Sequence, residues 1–270
     1  MKKIGIIGFG NMGKALYEGL IQFSELNEKD FITSHPNPES RALINKDYAI
    51  ECVPNNIHLA KESELIVLTV KPQILGKVLQ EIAPVLDVHQ TLISCAAGYT
   101  LKQIEQVLDK HIKNIACIRI MPNIAVKVGA GVNVFACNAA ANSQSRDYFM
   151  SLFSALGLNI ELPESQFDAA TGLSGSGPAF IYTMMEAMID AGVKVGLSRQ
   201  HAKEMVKQTF FGSSALINAT GKHPGQLKDL ITSPGGTAIT GIYTLEKGGV
   251  RHSLIEAVEA AANKAKELSI

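Results

Sequence analysis

The stretch KIGIIGFGNMG, residues 3–13, constrains this chain more than any other. A short apolar run ends in Gly8, Gly10 and Gly13 at G-x-G-x-x-G spacing, and residues 11–24 then follow with helical periodicity. Strand, tight turn and helix are therefore expected in that order. The first glycine permits the turn, the second lets backbone approach a pyrophosphate, and the third allows the helix to pack closely on the strand. The motif is generic in isolation. At the first strand of a βαβ unit it predicts a dinucleotide site at Gly8, Gly10 and Gly13.

Further apolar runs at 30–34, 65–70, 91–97 and 115–121 are strand candidates, with helical segments at 73–86 and 100–109 between them. Most of these runs are continuous rather than alternating, which is the pattern of strands covered on both faces by helices. The first part, residues 1–163, is expected to be a Rossmann-type, doubly wound α/β domain. No strand is expected after residue 163. Ile181, Met184, Met188, Ala191 and Val195 recur at spacings of three and four, as do Val206, Phe210, Ser213 and Ile217, and 253–268 is alanine-rich and amphipathic. Residues 164–270 are expected to be all-helical. So small a helical segment has a thin core of its own, so its apolar faces are expected to be buried against a second subunit.

Charge narrows the partner. Twenty-five Lys and Arg balance 25 Asp and Glu, which gives no electrostatic case for nucleic acid or an anionic membrane and makes a small molecule the better expectation. Cys52, Cys95, Cys117 and Cys137 form no C-x-x-C pair and read as buried thiols. The apolar run near the start is too short and too broken by glycine for a signal-peptide core of roughly 7–15 residues. A cytoplasmic protein is expected. The histidines show no metal-ligand spacing, so no metal is expected.

NAD-binding sites of this type place an Asp or Glu at the end of the second strand, where it holds the ribose 2′-hydroxyl. Here the second strand runs into TSHPNPESR, with Ser34, His35 and Asn37 in that region. Hydroxyl, imidazole and amide groups tolerate a 2′-phosphate that a carboxylate repels, which favours NADPH, with NADH possible. His35 reads equally well as a surface turn residue before proline. Ligands in this fold lie beyond the carboxyl ends of strands, so Val70, Lys71, Ala96 and Ala97 fall on the cofactor side. Lys71 has a second reading as a solvated loop lysine.

Two glycine-rich stretches lie in the second part. GLSGSGPAF (172–180) reads as a helix start with a serine cap and Pro178 in the first turn. LITSPGGTAITG (230–241) is a loop of turn residues and hydroxyls inside otherwise helical sequence. With VKP (70–72), AAG (96–98), MPN (121–123), VGAG (128–131) and HPGQLKD (223–229), in this order along essentially the whole chain, these stretches resemble the pyrroline-5-carboxylate reductase family. The resemblance implies NAD(P)H-dependent reduction of a cyclic imine to proline by a Rossmann domain and a helical dimerisation domain. It also implies an active site completed across a homodimer, or a higher homo-oligomer built from dimers. Carried over by position, it places cofactor contacts at Gly8, Gly10, Asn11, Met12, Ser34, Pro36, Asn56, Val70, Lys71 and Ala97. Substrate contacts fall at Ser233, Pro234, Gly235, Gly236 and Thr237, with Glu164 as an additional substrate-side residue.

An imine is reduced more readily than a ketone, because protonation gives an iminium that accepts hydride directly. The protein then needs mainly to hold the two reactants together, exclude water and anchor the substrate carboxylate. Ser233 and the amides of Gly235 to Thr237 suit the carboxylate, and Thr237 or water the ring nitrogen. The chain departs from the family at Ala238, where a threonine is expected, and at Ala125, where many relatives carry proline. Ala238 keeps open a second reading, a regulatory paralogue with weak or absent turnover. A third, a β-hydroxyacid dehydrogenase, needs a lysine soon after the glycines of 172–177, and here the next lysine is Lys194.

Overall fold

A computed structural model describes residues 3–268. Among them, one sheet contains β1 (Lys3–Ile7), β2 (Phe31–Ser34), β3 (Glu51–Val53), β4 (Ser63–Leu68), β5 (Thr91–Ser94), β6 (Ala116–Pro122), β7 (Gly131–Cys137) and β8 (Gly157–Glu161). Their order is β3-β2-β1-β4-β5-β6-β7-β8. β1 pairs in parallel with β2 on one side and β4 on the other. The strand order therefore reverses between β1 and β4, the switch point at which such sheets bind ligands.

Helices α1 (Asn11–Phe23), α2 (Pro38–Tyr48), α3 (Asn56–Glu62), α4 (Pro72–Ile82), α5 (Leu101–Leu108) and α6 (Ser143–Phe153) connect the strands. Ile4 and Ile6 pack with Leu16, Leu20 and Phe149 on one face of the sheet, while Ile7 packs with Leu59, Leu79 and Ile104 on the other. Burial on both faces explains the unbroken apolar runs.

Three strands go beyond the sequence expectation. β3 has only three residues. β7 begins with glycine and carries Asn133, fully buried with its side-chain atoms unpartnered among the described residues, which interrupts the apolar pattern. β8 is largely exposed. β6 and β7 are antiparallel, because only a 3-10 turn at Ile124–Val128, closed by Gly129 at φ 66°, connects them. A parallel return needs a crossover of a dozen or more residues. Ala125 sits inside that turn.

The chain divides into two compact units: residues up to Ser176 together with those from Ala261 onward, and Gly177–Ala260. The first, longer segment of that unit closes with a short helix α7 (Phe167–Ala170) and a π turn at Thr171–Gly175. The sequence predicts Ser176 as the cap of a new helix. Instead its backbone is already helical (φ −85°, ψ −21°), and its amide donates to the Thr171 carbonyl at 2.8 Å. The chain arrives helical from α7, so no extended cap residue is needed.

The second unit contains α8 (Gly177–Lys194), α9 (Arg199–Thr220), α10 (Pro224–Leu230), α11 (Thr237–Lys247) and the first part of α12 (Val250–Leu268). α8 and α11 have no buried residues, and Phe211 and Tyr243 are each 70% exposed. This unit has far more apolar surface than core, in keeping with the expected second subunit. None of the described helices is long and apolar enough to cross a membrane.

Candidate cofactor and substrate site

The three glycines of the first turn have separate physical reasons. Gly8 has φ +99°, and a Cβ there would lie 2.8 Å from Val70 Cγ1 and 2.9 Å from the Val70 nitrogen, so the loops after β1 and β4 meet without room for a side chain. Gly13 would place a Cβ 2.5 Å from the Gly8 carbonyl oxygen. A Cβ at Gly10, by contrast, would meet nothing within 4 Å. Gly10 is the N-cap of α1, no side chain caps that helix, and its first turn carries no acid. Amides of Asn11, Met12 and Gly13 there form the unfilled positive end of a helix. These residues fit a pyrophosphate.

Neighbouring strands complete this edge. The Thr69 amide extends the β1–β4 ladder by donating to the Ile7 carbonyl at 2.9 Å, and the Thr69 hydroxyl donates to the Gly8 carbonyl. Val70 is half-buried, while Lys71 is exposed at the N-cap of α4. After β5, Ala96 is buried, Ala97 is exposed and Gly98 turns at φ 73°. The structure thus brings Gly8, Gly10, Asn11, Met12, Gly13, Val70, Lys71, Ala96 and Ala97 to the carboxyl ends of three adjacent strands. Cys52 and Cys117 are buried as expected, but Cys95 and Cys137 are only partly covered. The apolar surroundings of the Cys95 sulfur nonetheless desolvate it and push the thiol well up, which keeps it neutral.

At the end of β2, Ser34 Oγ donates to Asn56 Oδ1 at 2.6 Å, and Asn56 Nδ2 donates to Glu81 Oε2 at 2.8 Å. The Arg41 guanidinium donates from Nη1 to the His35 carbonyl at 3.0 Å and to the Pro36 carbonyl at 2.9 Å. Ser34, Pro36 and Asn56, the positions marked by the family resemblance, meet Glu81 and Arg41 here. These two partners lie on ordinary helices, α4 and α2, and no local pattern distinguishes them from solvated charges. A carboxylate of α4, Glu81, thus joins the end of β2 through Asn56.

Glu164 lies in the first unit. Its Oε1 accepts from Arg119 Nη1 at 2.7 Å and from the Leu101 amide at 3.0 Å. Arg119 stacks over the Phe167 ring at 4.5 Å. Glu164 thereby pins the start of α5, directly after the Ala96–Gly98 turn. Asn123, of the MPN stretch, donates from Nδ2 to the Ser174 carbonyl in the π turn at 3.1 Å.

The SPGGT loop belongs to the helical unit. Gly235 has φ +69°, and a Cβ on Gly236 would sit 2.4 Å from Ser233 Oγ. Gly236 is the N-cap of α11, no side chain caps it, and Thr237 is the first helical residue. One expected donor is removed by this geometry: the Gly236 amide already bonds the Ser233 carbonyl at 3.0 Å. The amides of Thr237 and Ala238 remain at the open end of the helix, beside the exposed Ser233 and Thr237 side chains. A cavity of about 480 Å³ lined by Glu64, His89, Asn114, Asn142 and Tyr148 lies at the opposite, amino edge of β4–β6, away from the side where this fold binds ligands.

Residues 164–268 match the family model for pyrroline-5-carboxylate reductase dimerisation, and residues 3–98 match that for coenzyme F420-dependent NADP oxidoreductases. The chain is 39% identical to the pyrroline-5-carboxylate reductase of Glycine max, covering 98% of this chain and 96% of that one. It is 40% identical to the Synechocystis enzyme over 98% of both chains. The chain belongs to the pyrroline-5-carboxylate reductase family. Within that family, the crystal structure of the Plasmodium falciparum pyrroline carboxylate reductase with NADP bound superimposes at a TM-score of 0.89, with 34% identity over 100% of this chain and 98% of that one. A Coxiella burnetii pyrroline-5-carboxylate reductase gives 0.88, with 31% identity over 100% and 99%. Family membership sets aside the β-hydroxyacid dehydrogenase reading. A ketol-acid reductoisomerase at 15% identity and a TM-score of 0.62 shares the fold alone.

Proposed function

We propose that the chain reduces 1-pyrroline-5-carboxylate to proline with NADPH, accepting NADH less well, as a cytoplasmic homodimer or a larger assembly of dimers. Residues 1–163 serve the cofactor, and residues 164–270 serve substrate binding and dimerisation. The observation that carries this reading is the pair of uncapped helix N-termini behind glycine turns, at Gly10 for the pyrophosphate and at Gly236 for the substrate carboxylate.

Bound NADPH supplies the hydride that reduces the C=N bond. The amides of Asn11, Met12 and Gly13 bind its pyrophosphate, and Ser34, Pro36, Asn56 and Lys71 line its adenosine end. Val70, Ala96 and Ala97 offer a narrow, small-residue floor for the nicotinamide. Ser233 and the Thr237 and Ala238 amides hold the carboxylate, while Pro234, Gly235 and Gly236 shape the turn that presents them. The Thr237 hydroxyl or a water contacts the ring nitrogen. Glu164 acts from behind, fixing Arg119 and the start of α5. No strong acid or base is required, because proximity of a protonated imine to the hydride donor lowers most of the barrier.

The deciding measurement is oxidation of NADPH by the purified protein when pyrroline-5-carboxylate is added, with proline identified as product. Turnover is the expected result. NADPH binding without turnover would instead favour a regulatory paralogue, the reading that Ala238 keeps open.

A further inference from the structure

Resting on the cofactor reading above, the relay at the end of β2 carries a further conclusion. A carboxylate only accepts hydrogen bonds, so the 2.8 Å contact from Asn56 to Glu81 settles which end of the Asn56 amide is nitrogen. Asn56 must then present its oxygen to Ser34, and Ser34, 2.6 Å away, commits its single proton to that oxygen. What remains on the Ser34 hydroxyl is lone-pair capacity. An acceptor suits a ribose 2′-hydroxyl and does not suit a 2′-phosphate, which has no proton to offer at neutral pH beyond its partial second ionisation.

Two charges near this turn act in opposite senses. Arg41 uses one guanidinium nitrogen on the carbonyls of His35 and Pro36 and keeps further donors of its five N–H groups for an anion. Glu81 brings a negative charge to the same polar chain and holds Ser34 in its accepting state. We propose that Glu81 is a specificity-determining residue that limits selection of NADPH over NADH, acting through Asn56 and Ser34 rather than by touching the cofactor. With Glu81 replaced by glutamine, the Asn56 amide is free to turn over, Ser34 recovers its proton for a phosphate oxygen, and one negative charge is removed.

The test is equilibrium binding by calorimetry, on full-length wild type and Glu81→Gln, of adenosine 2′,5′-bisphosphate and of 5′-AMP. The KM values for NADPH and NADH are measured alongside. Glu81→Gln is expected to raise the affinity ratio of bisphosphate over AMP roughly tenfold or more, the scale of one hydrogen bond to a charged group, and to lower the KM of NADPH relative to that of NADH. Asn56→Asp, which places a carboxylate against Ser34, is expected to lower the affinity ratio and to raise the KM of NADPH relative to that of NADH, and carries the test should Glu81→Gln misfold. An unchanged ratio, or equal weakening of both nucleotides as from simple structural damage, overturns the proposal. Should the wild type bind neither nucleotide, the cofactor reading itself falls, and this inference with it.

Discussion

Arg119 and Glu164 meet at 2.7 Å with 4% of the arginine side chain and 27% of the glutamate exposed. The arginine Nε has no partner among the described residues, so the pair depends heavily on this one contact. Removing one member of a buried pair costs about 3–5 kcal/mol, whereas replacing both by apolar groups is often neutral. Glu164→Ala is expected to lose roughly 3 kcal/mol of stability in urea denaturation, and Arg119→Met with Glu164→Leu to recover most of it. Equal stability of the single and double variants would count against this account.

Gly8 and Gly10 should respond differently to alanine. Gly8→Ala forces a side chain into φ +99° against Val70, a strain of about 1–3 kcal/mol, and lowers the melting temperature. Gly10→Ala meets nothing in the protein, so its melting temperature stays near wild type, while the methyl group stands where the pyrophosphate approaches. NADPH affinity measured by fluorescence titration is expected to fall tenfold or more, a loss of about 1.4 kcal/mol or greater.

In the SPGGT loop, Ser233→Ala and Gly236→Leu are each expected to raise KM for pyrroline-5-carboxylate strongly while leaving NADPH affinity nearly unchanged. Leucine at 236 collides with Ser233 Oγ, which lies 2.4 Å from the Cβ position. Combining Gly236→Ala with Ser233→Ala should relieve the collision and restore thermal stability without restoring substrate binding. Initial-rate kinetics with each reactant varied in turn check this, and an unchanged KM removes Ser233 from the site.

Ala238 is the second residue of α11 and half-buried at its open end. Ala238→Thr adds a hydroxyl beside the position assigned to the ring nitrogen. It is expected to raise kcat/KM several-fold, on the scale of about 1 kcal/mol for a single hydrogen bond. No gain in a steady-state assay would show that Thr237 or water already serves that atom.

Burial pushes the Tyr17 phenol up to about 12 from 10.0, with Glu28 adding to the shift. A group whose folded pKa is raised contributes stability that is fully present below the unfolded value and is lost as pH rises through the folded one. Alkaline unfolding should therefore begin above about pH 10 and deepen toward pH 12. Tyr17→Phe should flatten that limb of the stability profile, measured by denaturation at several pH values.

Short-range patterns made much of this legible beforehand. The glycine turn at Gly8–Gly13 and the βαβ order rest on contacts within a few residues, so the chain itself reports them. β7 is hidden in the sequence because Asn133 interrupts its apolar run, and the glycine-rich stretch around Ser176 resembles a helix start because no local pattern announces α7 before it. Gly236, expected to offer its amide to the substrate, offers geometry instead.

The sequence by itself determined that a dinucleotide fold precedes a helical segment and that two glycine turns open onto helix N-termini, because spacing and residue type are local properties. Only the tertiary structure decided which polar groups meet. Ser34 reaches Asn56 across 22 residues, Asn56 reaches Glu81 across 25, and Arg119 reaches Glu164 across 45. Those partners are chosen by the register of the sheet and the helices packed on it. A carboxylate on α4 thus joins the end of β2, although nothing in the residues around either position records the contact.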